Sequence, residues 1–315
     1  MAKIAVVIPA YKVSNHIIEV VSEIGKDVDA IYVIDDACPE GSGKLVSSKI
    51  KDKRVRVITH SSNQGVGGAV ISGYRAALKD GADVIVKLDG DGQMDPALIK
   101  DLVFPIVEGK ADYTKGNRFD SITGLRQMPG IRIFGNGALS LMTKISTGYW
   151  NVTDPTNGFT AIHREMLAGI DLEMLSKRFF FESDLLFRLS LARAVVWDIP
   201  MESRYGTEKS NLKISRALFE FTFKHGVNFH KRLFYNYYLR EMSAASIELP
   251  LGILMSWWGL LFGIAKYVES LESGTPATAG TVMLSAVPLI LGIQLILAFV
   301  SYDIASVPKR VRHKG

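Results

Sequence analysis

The stretch Lys87-Leu88-Asp89-Gly90-Asp91-Gly92-Gln93-Met94-Asp95-Pro96 directly follows an apolar run, residues 83–88, that predicts a buried strand. Two carboxylates and a carboxamide alternate there with glycines, which relax the backbone so that the polar side chains can turn toward one point. Mg²⁺ and Mn²⁺ take oxygen ligands and often bind through one or two carboxylates plus substrate phosphates. The segment therefore predicts a Mg²⁺ or Mn²⁺ site held by Asp89, Asp91 and Gln93. A solvated acidic turn is the alternative interpretation of an isolated D-x-D.

Composition limits the class of protein. The chain has 315 residues, of which 48% are hydrophobic and 22% charged, so it is not a disordered sequence. Its formal net charge of +5 would suit an anionic substrate or membrane surface without requiring either. Cys38 is the single cysteine, which excludes an intrachain disulfide. The six histidines show no metal-ligand spacing, which argues against a zinc site.

Strands and helices alternate through the first hundred residues. Apolar runs predict strands at 3–9, 30–34, 55–59 and 83–88, with helices at 14–25, 44–51 and 65–78 between them. This alternation predicts an α/β fold with a mostly parallel, doubly wound sheet, in which ligands gather at the carboxyl ends of the strands. The polar segments that fall at these strand ends are 9–11, 35–36, 63–65 and 89–93.

A dinucleotide-binding dehydrogenase is the obvious rival interpretation of a doubly wound sheet. Gly65-Val66-Gly67-Gly68 resembles part of G-x-G-x-x-G, but Val70 occupies the position of the last glycine. The run also follows the third predicted strand, whereas that fingerprint belongs after the first. The sequence therefore argues against a dehydrogenase.

The C-terminal third predicts a membrane anchor. Residues 249–265 and 277–302 are uncharged runs that approach or exceed the roughly 20 residues needed to cross a bilayer, which predicts a two-helix transmembrane hairpin. Residues 215–243 interleave aromatic and basic side chains at helical spacing, which predicts amphipathic helices at the bilayer interface. A packed core helix is the alternative for that segment, and nucleic-acid binding is not favoured beside membrane spans.

The distribution of basic residues predicts the topology. Lys231, Arg232 and Arg240 precede the first span and further basic residues, at 309–314, follow the second, whereas the connecting loop, residues 269–278, carries only Glu269 and Glu272. By the positive-inside rule, both termini and the N-terminal domain are cytoplasmic. We predict domains at 1–213, 214–246 and 247–315, and lateral contacts between hairpins could assemble several copies as a homo-oligomer.

Several motifs together resemble the family 2 glycosyltransferases, in the branch of dolichol-phosphate mannose synthases and polyprenyl-phosphate glycosyltransferases. The resemblance covers about residues 3–215, and some bacterial members of the branch carry two C-terminal membrane helices. The motifs are Pro9-Ala10-Tyr11, Val33-Ile34-Asp35-Asp36, Asn63-x-Gly65 with Ala69 and Gly73, Asp89-x-Asp91-x-Gln93, Lys115-Gly116-Asn117-Arg118, Arg132 with Asn136, Asp154-Pro155-x-Asn157-Gly158-Phe159, and Arg204-Tyr205-Gly206 followed by Ser210.

The resemblance implies a GT-A fold, a nucleotide-sugar donor and a divalent metal that bridges the donor diphosphate. It implies that Asp89, Asp91 and Gln93 hold the metal and that Arg118 and Arg132 meet the acceptor phosphate. Asp91, Arg118 and Arg132 are accordingly the expected catalytic residues. The residues expected to bind substrate are Pro9, Tyr11 and Asp36 at the base and ribose, Arg204 and Ser210 near the phosphates, and Asn63, Gly65, Asp89, Asn136, Asp154 and Lys209 elsewhere in the site.

Three positions depart from the family pattern. Lys12-Val13 replaces the Asn-Glu that follows the first tyrosine, and Ala37-Cys38 replaces the Gly-Ser that follows the paired aspartates. Asn211 stands where a lysine usually follows the late serine, with Lys209 on its other side. Because of the first departure, the sequence does not decide whether the donor nucleotide is UDP or GDP.

The resemblance implies a metal-dependent, inverting hexosyltransferase that moves one sugar from a nucleotide-sugar to undecaprenyl or dolichyl phosphate. A phosphate monoester is mostly dianionic at neutral pH, so such an acceptor needs positioning rather than a strong base. Transfer to a sugar hydroxyl is the alternative, and Glu182 or Asp184 could then supply the base. A catalytically silent membrane scaffold is the alternative from another class.

Overall fold

The computed structural model describes residues 2–120, 130–202 and 214–313; for residues 131, 132 and 214–218 it describes the backbone alone. Contacts divide the chain into two compact units. The sheet unit comprises residues 1–229 and 308–315, and the hairpin unit comprises residues 230–307. The predicted domain boundaries at 213 and 246 stay a prediction.

The sheet unit is built on seven strands in the order β3-β2-β1-β4-β6-β5-β7. Their bounds are β1 Ile4–Ala10, β2 Ala30–Asp35, β3 Val55–Thr59, β4 Val84–Lys87, β5 Tyr113–Asn117, β6 Thr160–His163 and β7 Val196–Pro200. Every neighbouring pair is parallel except the two that involve β6, which runs antiparallel to β4 and β5. The predicted α/β fold with a mostly parallel sheet is confirmed.

Helices connect these strands. In the sheet unit they are α1 Ile17–Glu23, α2 Ser42–Lys49, α3 Val66–Lys79, α4 Ile99–Val107, α5 Gly130–Thr147, α6 Arg164–Ala168 and α7 Phe181–Leu191. Helix α8, Ile214–Phe234, continues into the hairpin unit, where a π-helical turn, Tyr235–Arg240, precedes α9 Ala245–Ser273 and α10 Ala279–Ala305. The first three helices lie within two or three residues of their predicted bounds.

The core lies between the sheet and its helices. Val6, Ile8, Val33 and Val86 are fully buried in one apolar cluster with residues of α1 and α4. On the other face, α3 approaches β1 so closely that a side chain at Gly73 would overlap Val7. This glycine therefore lets α3 lie directly against the central strand.

The strand order creates a crevice at the carboxyl ends of β1 and β4. From β1 the chain proceeds to β2 and β3 on one side, and then crosses over to β4 on the other side of β1. Ligands of open α/β sheets bind at such a switch point, outside the carboxyl ends of the strands. Tyr11 follows β1 and Asp89 follows β4, so both residues border this crevice.

Helices α9 and α10 are long and apolar enough to cross a membrane, with mean hydropathy of 1.6 and 2.4 over their most apolar 18 residues. Their contact face is lined by small residues. A side chain at Gly252 would lie 2.9 Å from the Gly292 carbonyl oxygen, and one at Gly259 would lie 2.6 Å from the Ser285 carbonyl oxygen. The Ser285 hydroxyl donates a hydrogen bond of 2.8 Å to the carbonyl of Gly259. Close backbone approach of this kind is typical of packed transmembrane helices.

A buried ion pair ties the start of the hairpin unit to the end of α10. The Arg232 guanidinium donates from Nη1 and Nη2 to the two carboxylate oxygens of Asp303, over 2.6 and 3.1 Å. The Tyr237 hydroxyl donates to Asp303 Oδ1 over 2.5 Å. Both charged side chains are only 3% exposed, so removal of either would leave its partner's charge buried without compensation.

We expect Asp303→Ala to lower the free energy of unfolding of the hairpin unit by about 3–5 kcal/mol, because Arg232 would remain buried without a carboxylate. Reversible unfolding of the full chain in detergent, followed by circular dichroism, measures the change. The double variant Arg232→Met/Asp303→Leu should recover most of the loss.

The matched control is Glu269→Ala, which removes the partner of Lys266 in an exposed ion pair. Exposed pairs contribute at most about 1 kcal/mol. Equal losses in the two single variants would contradict a special contribution from the buried pair.

Candidate active site

The sequence-predicted residues of the N-terminal half lie at one edge of the sheet. Pro9 lies within β1 and the 44%-exposed Tyr11 follows it, Asp36 directly follows β2, and Asn63 precedes α3. The segment that begins with Asp89 follows β4 at the same edge. Because strands β1 to β4 are parallel to one another, their carboxyl ends lie at this edge.

A buried lysine holds the first aspartate of the D-x-D segment. Lys87, the last residue of β4, has a side chain only 1% exposed, and its ammonium donates to Asp89 Oδ1 over 2.7 Å. The same nitrogen lies 3.1 Å from Glu182 Oε1 at the start of α7 and 3.1 Å from the carbonyl oxygen of Gly158. One ammonium thus bridges two carboxylates beneath the site.

The pKa values of this cluster favour charged Lys87. Burial by itself lowers the pKa of Lys87, but the neighbouring carboxylates of Asp89 and Glu182 outweigh burial and raise the pKa above its ordinary value. Burial raises the pKa of Glu182, and the positive charge of Lys87 opposes that rise. The lysine therefore stays protonated and compensates for the buried acidic groups.

The turn after Asp89 uses the backbone freedom of Gly92. Asp91 Oδ1 accepts a hydrogen bond of 3.1 Å from the backbone N–H of Gln93. Gly92 between them has φ of +77°, which L side chains rarely adopt. The turn brings the three predicted metal-binding side chains into one short loop.

The oxygen donors of this loop fit Mg²⁺ or Mn²⁺. Two carboxylates and one carboxamide are hard ligands, and these cations commonly complete their coordination with substrate phosphates and water. Within the described residues no cluster of three His, Cys, Asp or Glu side chains has metal-binding geometry. A cation here would therefore rely on Gln93 and on ligands from a substrate, besides the two aspartates.

The loop before β6, residues 154–159, packs against the same lysine. A side chain at Gly158 would overlap both Asp89 Oδ2 and Lys87 Nζ. Any larger residue at this position would have to displace one or both of these charged groups. The loop 154–159 thereby contacts the residues that follow β4, although they are far apart in the sequence.

Asp154 in this loop holds Arg118 at the end of β5. The guanidinium donates from Nε and Nη2 to the two oxygens of Asp154, over 2.7 and 2.6 Å. Asp154 is 1% exposed and has φ of +54°, and its carboxylate also accepts from Asn157 Nδ2 over 3.2 Å. Burial alone raises the pKa of Asp154, but Arg118 and Lys115 outweigh it and hold the pKa below its usual range.

Lys115 forms a second buried cation beneath this region. Its side chain is 1% exposed, and its ammonium lies 3.6 Å from Asp198 Oδ1 and donates to the Thr153 carbonyl over 2.7 Å. Burial lowers the pKa of Lys115, because the carboxylates of Asp198 and Asp154 offset the cost of burial only in part. Lys87, Arg118 and Lys115 are thus each matched to a carboxylate.

Asp36 connects three segments at the base of the crevice. Its Oδ1 accepts from the Gln64 N–H over 2.8 Å and lies 2.7 Å from His60 Nδ1, while Oδ2 accepts from the Gly65 N–H over 2.8 Å. The Asn63 amide donates to the Asp36 carbonyl over 3.3 Å. Asp36 is 2% exposed, so these contacts fix the start of α3.

Two departures from the family pattern contact each other. The backbone N–H of Lys12 donates to Cys38 Sγ over 3.1 Å, and Lys12 and Ala37 have φ of +58° and +53°. Hydrogen bonds from Ser42 and from backbone N–H groups outweigh burial and lower the pKa of the Cys38 thiol. The two replacements therefore form one local structure beside Tyr11.

Sequence reasoning gave no role to Lys87, although its two carboxylate partners, Asp89 and Glu182, were both named as candidate site residues. Lys87 is a charged residue at the end of the buried strand Val84–Lys87, directly before the aspartates, and this placement was the available signal. Glu182 and Asp184, the two candidates for a base in transfer to a sugar hydroxyl, have different contacts. Glu182 faces Lys87, whereas Asp184 accepts the Ser176 N–H over 2.8 Å and anchors the loop before α7.

Some predicted residues fall outside the described part of the chain. Arg204, Lys209 and Ser210 lie outside the described residues, and Arg132 is described by its backbone alone, within α5. Asn136, also on α5, lines a cavity of about 370 Å³ together with Phe119 and Thr153. The cavity places α5 beside the segment that follows Arg118.

The family model for glycosyl transferase family 2 matches residues 5–170, which is more than half of the chain. The chain therefore belongs to glycosyl transferase family 2.

Two relatives narrow the branch. The chain is 28% identical over 232 residues to the UDP-N-acetylglucosamine–dolichyl-phosphate N-acetylglucosaminyltransferase of Methanococcus voltae, covering 69% of this chain and 92% of that protein. It is 31% identical over 206 residues to the undecaprenyl-phosphate mannosyltransferase of Micrococcus luteus, covering 63% of this chain and 82% of that one. The predicted resemblance to polyprenyl-phosphate glycosyltransferases is confirmed.

Solved structures support the fold. Glucosyl-3-phosphoglycerate synthase from Mycobacterium tuberculosis, in complex with Mn²⁺, UDP and phosphoglyceric acid, aligns with a TM-score of 0.55 at 18% identity. The alignment covers 73% of this chain and 78% of that one. At this identity the similarity establishes the GT-A-like fold alone.

We expect Gly158→Ala to reduce turnover on the order of 100-fold, because the added methyl group would displace Asp89 and Lys87, and an ångström of misplacement at a reacting site has that effect. Steady-state assays with a fixed donor and acceptor measure the change. Circular dichroism checks that the variant is folded.

The matched control is Gly226→Ala in α8, where an added side chain meets no atom within 4 Å. This helical substitution should leave turnover unchanged and stabilise the protein by up to about 1 kcal/mol. Full activity in Gly158→Ala would show that the contact between the loop and the D-x-D segment is dispensable.

Proposed function

We propose that this protein transfers one sugar from a nucleotide-sugar to a polyprenyl phosphate, with inversion at the anomeric carbon. The product is a sugar linked through phosphate to undecaprenol or dolichol. The nucleotide of the donor is UDP or GDP.

The relatives carry this proposal. The two described above differ in sugar, one transferring N-acetylglucosamine and the other mannose, yet both are named for a polyprenyl-phosphate acceptor. The polyprenol monophosphomannose synthase of Mycolicibacterium smegmatis, 28% identical over 84% of its length, adds a third example. The acceptor class is therefore common to these three relatives, whereas the sugar is not.

The D-x-D segment would hold the donor diphosphate. Asp89, Asp91 and Gln93 are the residues that would bind Mg²⁺ or Mn²⁺, and a bound divalent cation would stabilise the negative charge that develops on the diphosphate. Lys87 keeps Asp89 oriented from below through the 2.7 Å contact. Pro9, Tyr11, Asp36, Asn63 and Gly65 border the part of the crevice proposed for the nucleoside.

The acceptor phosphate would meet Arg118. A phosphate oxygen forms the new bond to the anomeric carbon, while the bond from that carbon to the diphosphate breaks and its electron pair leaves with the nucleotide. Attack from the opposite face inverts the configuration. Asp154 orients the guanidinium of Arg118, and we propose that Arg132, Asn136, Arg204, Lys209 and Ser210 contribute further phosphate or sugar contacts.

The hydroxyl-acceptor alternative finds less support in the geometry. Its candidate base Glu182 is 12% exposed and lies 3.1 Å from the ammonium of Lys87, and Asp184 is engaged with the Ser176 N–H. A phosphate dianion needs no such base. Loss of activity in Glu182→Gln would also follow from disturbing Lys87, so that substitution alone does not identify a base.

We propose a membrane location with the sheet unit and both termini in the cytoplasm. The two apolar helices and the excess of basic residues outside their connecting loop support it. Helix α8 exposes Phe219 and Phe223 one turn apart while burying Phe221 and His225, which suits a helix at the bilayer interface. Assembly of several copies through the hairpins stays a prediction.

A donor screen tests the reaction. Purified protein incubated with Mg²⁺ or Mn²⁺, undecaprenyl or dolichyl phosphate and a panel of UDP- and GDP-sugars should form a lipid-linked sugar phosphate, detected by mass spectrometry. We expect Asp91→Ala and excess EDTA each to abolish turnover, because both remove charge compensation at the diphosphate.

Asp101→Ala in α4 is the matched control, since it removes an exposed carboxylate that is not part of the loop 89–93. Absence of product with every donor would contradict the proposed reaction, and near-normal turnover in Asp91→Ala would contradict the metal site.

Arg118→Ala should raise the KM for lipid phosphate or lower kcat without weakening donor binding, which isothermal titration with the nucleotide measures separately. Asp154→Asn should reproduce part of this defect, because it loosens the bidentate contact with Arg118. Arg56→Ala serves as the control, because its side chain is 58% exposed and pairs with Asp80 on the surface. An unchanged kcat and acceptor KM in Arg118→Ala would exclude its proposed role.

A further inference from the structure

The residues that follow the second apolar helix return to the sheet unit and dock there. The backbone N–H groups of Arg312 and His313 donate to Asp112 Oδ1 over 2.9 and 3.1 Å. The His313 ring places Nδ1 2.7 Å from the same oxygen and Nε2 3.2 Å from the carbonyl oxygen of Ile106. Residues 308–313, which we call the tail clasp, thus make polar contacts through both backbone and side chain.

The docking site is buried and shaped around the histidine. The His313 ring stacks on His163 with centroids 3.9 Å apart and an interplanar angle of 20°. The side chain of His313 is only 4% exposed and that of Asp112 is fully buried. Asp112 Oδ2 also accepts the Val195 N–H over 2.8 Å, so the carboxylate is fixed within the sheet unit before the tail contributes.

This site lies at the opposite edge of the sheet from the D-x-D segment. Asp112 directly precedes β5, and His163 ends the antiparallel strand β6. Both residues are therefore at the amino ends of the parallel strands, whereas Asp89 follows the carboxyl end of β4. The tail clasp shares no residue with the proposed donor or acceptor sites.

The connectivity gives this docking a consequence. The chain leaves the sheet unit after residue 229, passes through both apolar helices and rejoins the sheet unit at residue 308. A compact unit cannot be divided by a bilayer, so the chain must cross the membrane an even number of times between these points. This argument is independent of the distribution of basic residues.

We propose that the tail clasp fastens the far end of the membrane hairpin to the sheet unit, so that the sheet unit is tethered to the bilayer by two chain connections on one side of the membrane. A second tether restricts the orientations open to the sheet unit and raises the effective concentration of its site at the lipid surface. The proposal rests on the membrane crossing in the proposed function and is independent of the sugar chemistry.

Limited trypsin digestion of the full chain in proteoliposomes tests the docking. Lys309, Arg310 and Arg312 are potential cleavage sites, and a docked segment is cleaved only when it opens. Relative to the wild type, His313→Leu should raise the cleavage rate on the order of tenfold, because it removes hydrogen bonds to a buried carboxylate. His313→Asn, which retains a donor near Asp112, should fall between the two.

His230→Leu is the control, as it replaces a histidine on the exposed face of α8 and should leave tail cleavage unchanged. Equal cleavage rates in wild type and His313→Leu would overturn the docking. Protection that disappears when the protein is diluted in the membrane would also overturn it, because the tail would then dock on a second copy.

Cysteine labelling in sealed vesicles tests the topology. A membrane-impermeant maleimide should reach native Cys38 from one side, and Thr275→Cys in a Cys38→Ser background from the other side only. Labelling of both positions from the same side would overturn the arrangement.

A kinetic measurement completes the test. His313→Leu should raise the KM for polyprenyl phosphate in vesicles several-fold while nucleotide binding stays unchanged, because only the tether is affected. Unchanged lipid KM together with a released tail would overturn the tethering role. The protease and labelling results do not depend on enzymatic activity, so failure of the clasp and failure of the proposed reaction are distinguishable.

Discussion

The site depends on one buried charge, the ammonium of Lys87. It lies between Asp89 and Glu182 with almost no exposure to water, and it also donates to the Gly158 carbonyl. A buried ammonium is tolerated only when carboxylates and hydrogen bonds compensate for lost hydration. This requirement joins three distant segments, the end of β4, the loop before β6 and the start of α7, into one rigid support beneath the D-x-D loop.

The same principle applies to the residues of the proposed acceptor site. Arg118 is paired with Asp154, and Lys115 lies near Asp198. These pairings fix the cations before any substrate arrives, so less side-chain order must be imposed when a phosphate binds. A lone arginine on the surface would sample many orientations, whereas the bidentate contact from Asp154 holds the guanidinium in one plane.

Local patterns in the sequence were sufficient for the strands, the first helices and the edge of the sheet where the polar segments gather. The alternation of apolar runs with glycine- and aspartate-rich loops carries that information. The contacts between distant residues were beyond it. Lys87 and Glu182 are joined only by the fold, and nothing near Asp112 indicates that His313 will dock on it. Asp154 was predicted as a substrate contact, and its bidentate contact with Arg118 accompanies a left-handed backbone conformation that periodicity does not report.

Strand β6 runs antiparallel to its neighbours, and this reversal changes which residues of the second half of the sheet reach the functional edge. Parallel strands deliver the residues that follow them to the functional edge, but an antiparallel strand delivers the residues that precede it. Loop 154–159 therefore arrives from the opposite chain direction and carries Asp154 and Gly158. On the proposed assignment, the residues that contact the nucleoside and the metal lie before residue 94, and those that contact the acceptor phosphate lie after residue 117. Natural variation or engineering can thus change one substrate preference while the other half of the chain is left intact. The condition is that Gly158 is kept where loop 154–159 packs against Lys87 and Asp89.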